Sequence, residues 1–330
     1  MDFSVIIASR NRPVLVRAAI QSVLDQTHPS VEIVLVNDGS DIEHAAAYDA
    51  IKQELAGRGS FIDLRQTKHG HGPSYAYNRG SEVAQGDYLC FLDDDDCWTV
   101  PEHLSRAWAA LKLTGRQAET YFTNQKAYAN GALIERQIWL AALERQLRGR
   151  FTPSADGVYS VTVDALMVCE GFAHVNNTIV SRDLFKRIEG FDEKIRYEGD
   201  RDFYHRNVDN ARGILYSPCF VSRHNVPDST KKDNESTSRP QIERLLSRTY
   251  VWNKARILSS SWAIRKVAKR GSGYNLRQIA QLQLQDGRTG DALSTGLEAL
   301  GAMFSFKWLV YCGYLALRAA CGRTFPKTRP

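Results

Sequence analysis

Short apolar runs alternate with amphipathic stretches over the first hundred residues, a rhythm that predicts βαβ units around a mainly parallel sheet. The runs SVIIA (4–8), EIVLV (32–36), FIDLR (61–65) and DYLCFL (87–92) have strand length. The first, second and fourth are too continuously apolar to keep one face in water, so they are expected at the centre of the sheet. Between the first two, Pro13 suits the first turn of a helix, and Leu15, Val16, Ala19, Ile20, Val23 and Leu24 recur at helical spacing up to Gln26. Further helices are predicted over about Glu43–Leu55, stopped by Gly57, and over Tyr75–Ala84, stopped by Gly86.

Beyond Pro101 the pattern predicts a helix over His103–Leu113, then becomes mixed to about residue 190, with a long amphipathic stretch at Ile134–Leu147. Residues 226–240 are almost devoid of apolar side chains and read as a flexible loop. From Gln241 onward the pattern is helical, and residues 275–300 read as a helical hairpin turned at Asp286-Gly287-Arg288. The stretch 303–320 is rich in apolar and aromatic residues but carries Lys307 and Arg318. Those charges favour a helix lying on a membrane face, or packed on the hairpin, over a transmembrane span.

Composition adds little to this picture except by exclusion. The 330 residues are 43% hydrophobic and 24% charged, ordinary globular usage that excludes disordered, collagenous and coiled-coil classes. The six cysteines are scattered without a C-x-x-C pair, so neither a zinc ribbon nor a disulfide framework is suggested and a reducing cytoplasm is expected. The opening MDFSVIIASRNRP does not match a signal peptide, so no export is expected. Charge changes the picture more. From Trp262 to Pro330 eleven Lys and Arg face three acidic residues, a balance of +8, which leaves −2 for residues 1–261. No recognised module accompanies that basic segment, so nucleic acid is not expected as a partner.

The strongest chemical signal is Asp93-Asp94-Asp95-Asp96, directly after the buried-type strand DYLCFL. Parallel α/β sheets place their ligand crevice at such strand ends. Crowded carboxylates repel and raise one another's pKa, whereas a divalent cation turns the repulsion into coordination, and oxygen ligands suit Mg²⁺ or Mn²⁺. The competing reading is a solvated acidic turn. Asp38 ends a second central strand in VNDGS, where it is either a ligand contact or a turn cap. His69-Gly70-His71-Gly72 lacks further metal ligands nearby and reads as a polar, glycine-rich loop. Trp98, Trp108, Trp139 and Tyr197 could stack on sugar rings or pack in the core.

The ordered set SVIIASRNRP (4–13), VNDGS (36–40), HGPSYAYNRG (71–80), GDYLCFLDDDDCW (86–98) and EGFDEKIRYEGDRDFYHR (189–206) resembles family 2 glycosyltransferases over roughly residues 3–225. The resemblance implies a GT-A type, Rossmann-like sheet flanked by helices and a metal-dependent, inverting transfer from a nucleoside-diphosphate sugar, with UDP favoured, to a hydroxyl acceptor. It implies that Ala8, Ser9 and Arg10 frame the nucleotide and Asp38 binds the base. Gly72 and Pro73 would lie near the base or diphosphate, and Asn78 would pack its helix beside the donor pocket. Asp93 to Asp96, including Asp94, would form the acidic donor site, with Asp93 toward the ribose or sugar, Asp95 on a Mn²⁺ or Mg²⁺ ion and Asp96 as the family's second acid. His224 resembles the downstream histidine that completes the metal shell; the other reading is a hydrogen-bonded surface histidine.

The acceptor base should follow GFDE, where the family usually has Glu-Asp. This chain has Glu198-Gly199-Asp200, so alignment on the later R-x-F-x-x-R pattern ending at Arg206 puts Asp200 at the base and Gly199 where Glu is usual. Glu198 is the alternative, and Asp202 reads as an i,i+4 ion-pair partner of Arg206. The expected organisation is a catalytic domain over 1–225, with a nucleotide-sugar half to about 100 and an acceptor half over 101–225. The 226–240 loop and an α-helical, basic extension over 241–330 follow. The extension suggests a peripheral place on the cytoplasmic membrane face, with a glycan or lipid-linked glycan of cell-surface polysaccharide assembly as acceptor. Two rivals are a catalytically silent nucleotide-sugar-binding subunit and a sugar-nucleotide pyrophosphorylase, whose glycine-rich N-terminal signature is missing here.

Overall fold

The structure is a computed structural model that describes all residues except 116, 136, 137, 170, 229, 231–234 and 322–330, with backbone alone at 235 and 236. It divides into two units, Met1–Thr230 and Lys231–Pro330. The first unit opens with β1 (Phe3–Ser9), α1 (Pro13–Leu24), β2 (Val31–Asn37), α2 (Ala45–Glu54), β3 (Gly59–Asp63), α3 (Pro73–Val83) and β4 (Tyr88–Asp93). It continues through β5 (Cys97–Trp98), α4 (His103–Leu113), β6 (Thr120–Ala129), β7 (Ala132–Leu133) and α5 (Leu143–Leu147). Then come β8 (Tyr159–Val161), α6 (Val163–Val168), β9 (Thr178–Ser181), α7 (Arg182–Arg187), α8 (Gly199–Asn210) and β10 (Ile214–Asn225).

The strands form one sheet in the order β3-β2-β1-β4-β9-β6-β10-β5, with β7 beside β6 and β8 beside β10. From β3 to β4 every pairing is parallel, whereas β9 runs antiparallel to both β4 and β6. The expected parallel sheet thus holds for the first half and becomes mixed beyond β4. Alternate side chains of the central strands feed two cores, as a strand buried on both faces requires. Val5, Ile7, Leu35, Cys90 and Leu92 pack on one face with α1, α2 and α4. Ile6, Val34, Val36, Leu89 and Phe91 pack on the other with α3 and an aromatic group in which Phe191 and Phe203 stack at 4.2 Å.

This register positions the chemistry. Ala8 pairs with Val36 on one side and Asp93 on the other, so the carboxyl ends of β1, β2 and β4 lie level. Strand order reverses between β1 and β4, where open α/β sheets form their crevice.

Several details differ from the sequence expectations. The third strand lies two residues earlier, at Gly59–Asp63, because Gly59 pairs with Ile33 and a Cβ there would stand 2.2 Å from the Ile33 carbonyl oxygen. The amphipathic stretch Ile134–Leu147 is not one helix; among its described residues only Leu143–Leu147 is α-helical, and Trp139 adopts a left-handed φ of 56°. Part of the expected 226–240 loop, at 229 and 231–234, lies outside the described residues, and Glu235–Ser238 forms a short helix, α9.

The second unit contains α10 (Gln241–Leu258), α11 (Trp262–Gln285), α12 (Thr289–Ala302) and α13 (Phe306–Cys321). The hairpin between α11 and α12 turns at Asp286–Arg288, where Gly287 adopts φ 76°. Ala280, Ala299, Trp308 and Cys312 form a core of this unit, and the Trp308 indole donates to the Gly296 carbonyl at 2.9 Å. Among the described residues no helix is long and apolar enough to cross a membrane.

The close approach of α3 to the sheet at Gly80 is a test of the packing. A Cβ on Gly80 of α3 would stand 2.4 Å from Ile6 Cγ2 and 3.1 Å from Val36 Cγ2. Gly80→Ala should therefore destabilise the protein by about 1–3 kcal/mol through overpacking, despite alanine's better helix propensity. The urea midpoint checks this, and an unchanged or raised midpoint would refute the close approach.

Candidate active site

β4 and the turn after it deliver four carboxylates to the level end of the sheet, where donors from several elements meet them. Asp94 accepts from the Ser9 hydroxyl at 2.8 Å and from Arg12 Nη1 at 3.0 Å. Asp93 accepts from the Tyr77 hydroxyl of α3 at 2.6 Å, and its own N–H donates to Asn176 Oδ1 at 2.9 Å. Asp95 lies 3.2 Å from Arg12 Nη1, and its carbonyl accepts from Asn225 Nδ2. Asp96, with no side-chain exposure, accepts from His224 Nδ1 and from the Asn225 N–H at 2.7 Å each, and from Asn176 Nδ2.

This compensation is incomplete. Burial, followed by repulsion from Asp96, holds Asp93 up at about 6. Burial again lifts Asp94 to about 6 against the pull of Arg12, and lifts Asp95 to about 7 with Asp96 and Asp93 adding repulsion. Burial alone would lower His224, but its hydrogen bond to Asp96 and the surrounding carboxylates outweigh that and raise it. Tyr77, pushed far up by burial and by Asp93, stays neutral and remains a donor.

Two clusters that share Asp96 have the chemistry of a cation site. Oxygens of Asp93, Asp95 and Asp96 lie within 4.8 Å of one another, and so do ligand atoms of Asp96, His174 and His224. Three hard oxygen donors carrying negative charge that Arg12 offsets only in part fit Mg²⁺ or Mn²⁺. Of the sequence-expected set, Asp93 and Asp95 meet directly, whereas His224 joins them through Asp96.

The remaining sequence-expected residues fall around this cluster. Ala8 sits beside Asp93 in the sheet. Arg10 donates to the Thr67 and Lys68 carbonyls and lies 3.8 Å from Asp41. Both Asp38 oxygens are taken by the 70–72 loop: they accept from the His71 and Gly72 N–H groups at 2.8–2.9 Å and from His71 Nδ1 at 2.8 Å. Asp38 therefore shapes the glycine-rich loop, and Gly72, with φ 96°, opens α3 under the Arg196 guanidinium. Asn78 clamps α3 to the 189–193 turn, donating to the Phe191 carbonyl and accepting from the Phe191 N–H, each at 2.9 Å.

Asp200 lies in the first turn of α8, half-buried, with Oδ1 accepting from the Arg201 N–H and Oδ2 facing His174 Nε2 at 3.8 Å. Burial raises its pKa, offset in part by His174. Glu198 is oriented differently. It caps α8 in a left-handed conformation, φ 67°, and is held by Arg201 Nε at 2.5 Å. Asp202 pairs with Arg206 at 2.8 Å.

His174 is absent from the sequence expectations. Its Nε2 lies 3.7 Å from Asp93 and 3.8 Å from Asp200, so one imidazole links the acidic cluster to the carboxylate at the α8 N-terminus. Burial and then His224 push it down to about 4, which keeps it neutral near pH 7. Trp139 stands edge-on to both His174 and His224. The one signal available in the sequence was the polar run His174, Asn176 and Asn177 directly before the strand TIVS.

A family model described as Glycosyl transferase family 2 matches residues 4–161. Succinoglycan biosynthesis protein ExoW of Rhizobium meliloti is 27% identical over 221 residues, 66% of this chain and 62% of that protein. Amylovoran biosynthesis glycosyltransferase AmsB of Erwinia amylovora is 25% identical over 203 residues, 61% of this chain and 62% of that protein. The chain thus spans less than two thirds of these relatives, and about a third of others, 31% and 33%. Among solved structures, S. aureus TarS 1-349 in complex with UDP-GlcNAc has a TM-score of 0.62 at 16% identity, covering 92% of this chain and 81% of that one. Mannosyltransferase PcManGT of Pyrobaculum calidifontis, in complex with GDP-Man and Mn²⁺, has a TM-score of 0.58 at 15% identity, covering 98% and 81%. These two likenesses establish the shared fold.

Charge repulsion within the cluster has a measurable sign. Asp95 is held at about 7 in the metal-free fold against an ordinary 3.8, so the folded state binds the proton more tightly and this carboxylate's contribution falls as pH rises between those values. Asp95→Asn removes that charge. Its urea stability relative to wild type, measured in EDTA, should already be higher at about pH 5 and gain further up to about pH 7, above which the difference levels off. A difference that does not change with pH would show that Arg12 already balances the cluster.

Proposed function

We propose, from the match of residues 4–161 to the Glycosyl transferase family 2 model, that the chain is a metal-dependent inverting glycosyltransferase that uses a nucleoside-diphosphate sugar, with UDP as the nucleotide. The observation that carries this reading is the juxtaposition of Asp93, Asp95 and Asp96 with Asp200 through the single imidazole of His174. Asp93, Asp95 and Asp96 would hold a Mn²⁺ or Mg²⁺ ion, whose chemistry when bound is to neutralise charge on the departing diphosphate. Arg12 then keeps Asp94 and Asp95 in place from the side of β1.

Asp200 is the general base in this reading. A base must reach the acceptor hydroxyl and be ionised at working pH. The helix N-terminus favours the carboxylate, and neutral His174 presents Nε2 toward Asp200 and Asp93 together, orienting both without adding a second charge. Glu198, turned to Arg201, is better suited to fixing the entry of α8. With the base across the site from the donor cluster, one in-line displacement inverts the anomeric centre and needs no covalent intermediate. The acceptor is a growing or lipid-linked glycan of polysaccharide assembly, in keeping with the printed names of ExoW and AmsB. The basic second unit holds the enzyme at a membrane surface where such acceptors are extended.

Calorimetric titration of UDP, GDP and dTDP, each with and without Mn²⁺, tests the donor site. One nucleotide should bind only with metal, and Asp95→Asn should abolish that binding. Asp200→Asn should leave nucleotide affinity unchanged while lowering turnover of the accepted donor by about 10²–10⁴-fold. Nucleotide binding indifferent to both metal and Asp95 would remove the central support of the proposal.

A further inference from the structure

Helix α13 is apolar on nearly every side, and only one side is used within its unit. Trp308, Cys312 and Leu315, spaced i, i+4, i+7, are buried against α11 and α12, where Cys312 lies over Gly296 and Trp308 over Arg277. The opposite side carries Phe306, Val310, Gly313, Tyr314 and Leu317 at i, i+4, i+7, i+8 and i+11, the spacing of a second continuous stripe. Its large side chains are exposed by 47% at Tyr314 to 72% at Phe306, and Phe304 adjoins them at 71%. A helix apolar all round is ordinarily enclosed on all sides, and among the described residues nothing covers this stripe.

Charge decides which covering fits. After Glu298 the sequence contains Lys307, Arg318, Arg323, Lys327 and Arg329 and no Asp or Glu. Lys307 and Arg318 border the stripe near either end of the helix. A second copy of this chain would bring those cations together: Lys307 against Arg318 in an antiparallel pairing, and each against itself in a parallel one, with no acidic residue on the helix to answer them. An anionic bilayer surface offers the reverse, negative headgroups over the basic border and acyl chains under the stripe. We infer that the Phe306–Leu317 stripe of α13 docks the protein in the plane of an anionic membrane.

This rests on the membrane part of the proposed function and narrows it to one face and one lipid class; it is independent of the donor chemistry. The test is flotation of the full chain with vesicles of phosphatidylcholine alone and of phosphatidylcholine with phosphatidylglycerol. Wild type should float with the anionic vesicles and stay behind with the neutral ones. Val310→Glu with Leu317→Glu should lower the apparent affinity at least about tenfold, and Lys307→Gln with Arg318→Gln by about fivefold for each charge removed. All four positions are exposed, and an unchanged thermal melt confirms that the variants fold. Wild type that never floats overturns the membrane reading itself. Wild type that floats with both variants unimpaired overturns only the assignment to α13. A wild-type dimer in light scattering that the glutamate pair converts to monomer, without flotation of either, would give the face to a second copy instead.

Discussion

Concentrated negative charge at the end of a buried strand is the constraint to which the first unit is fitted. Two unit charges 4 Å apart near a protein surface repel by about 4 kcal/mol, so four neighbouring carboxylates persist only where the fold supplies donors or a cation. The donors come from distant parts of the sequence: Ser9 and Arg12 after β1, Tyr77 from α3, Asn176 before β9, and His224 with Asn225 from β10. Antiparallel β9 brings Asn176 beside β4, and β10 returns alongside β6 to bring His224 over Asp96. The mixed half of the sheet is thus the means of surrounding the charge that the parallel half presents.

Much of the parallel half was legible because its signals are local. Continuous apolar runs announce strands buried on both faces, and Pro13, Pro73 and the glycines after α2 and α3 punctuate the helices between them. The middle of the chain was not legible. At Trp139 the backbone turns left-handed against Gly171, whose Cβ would fall 1.7 Å from the Trp139 carbonyl oxygen, and that pairing across 32 positions leaves no periodic trace. His174 was missed for the same reason: its meaning lies in two carboxylates, 81 positions before it and 26 after it, which only the folded chain brings together. Asp38 shows the opposite case, in which a strand-end carboxylate was visible in the sequence but its engagement by the N–H groups of the 71–72 loop was not.

The glycine between Glu198 and Asp200 has a local setting. A Cβ at Gly199 would stand 2.7 Å from Ser74 Oγ, whose hydroxyl donates to the Ile195 carbonyl, so a side chain there would crowd that bond. Glu198, one residue earlier, takes a left-handed φ and turns toward Arg201. A strained non-glycine residue persists only where its surroundings over-determine it. Here Arg201 does so from two sides, pairing with Glu198 and stacking its guanidinium 4.2 Å from the Phe172 ring centroid. Glu198 and Asp200 thus differ in engagement: Glu198 braces the start of α8 through Arg201, whereas Asp200 keeps 24% of its side chain exposed.

Net charge places a further demand on the site. Residues 1–261 balance to −2, so their net charge supplies no long-range attraction for a diphosphate. The compensation has to be local, from the cation that the acidic cluster would hold and from arginines already aimed at neighbouring loops, such as Arg196 on the His69 and Gly70 carbonyls. Positive charge in excess lies instead in residues 262–330, within the second unit.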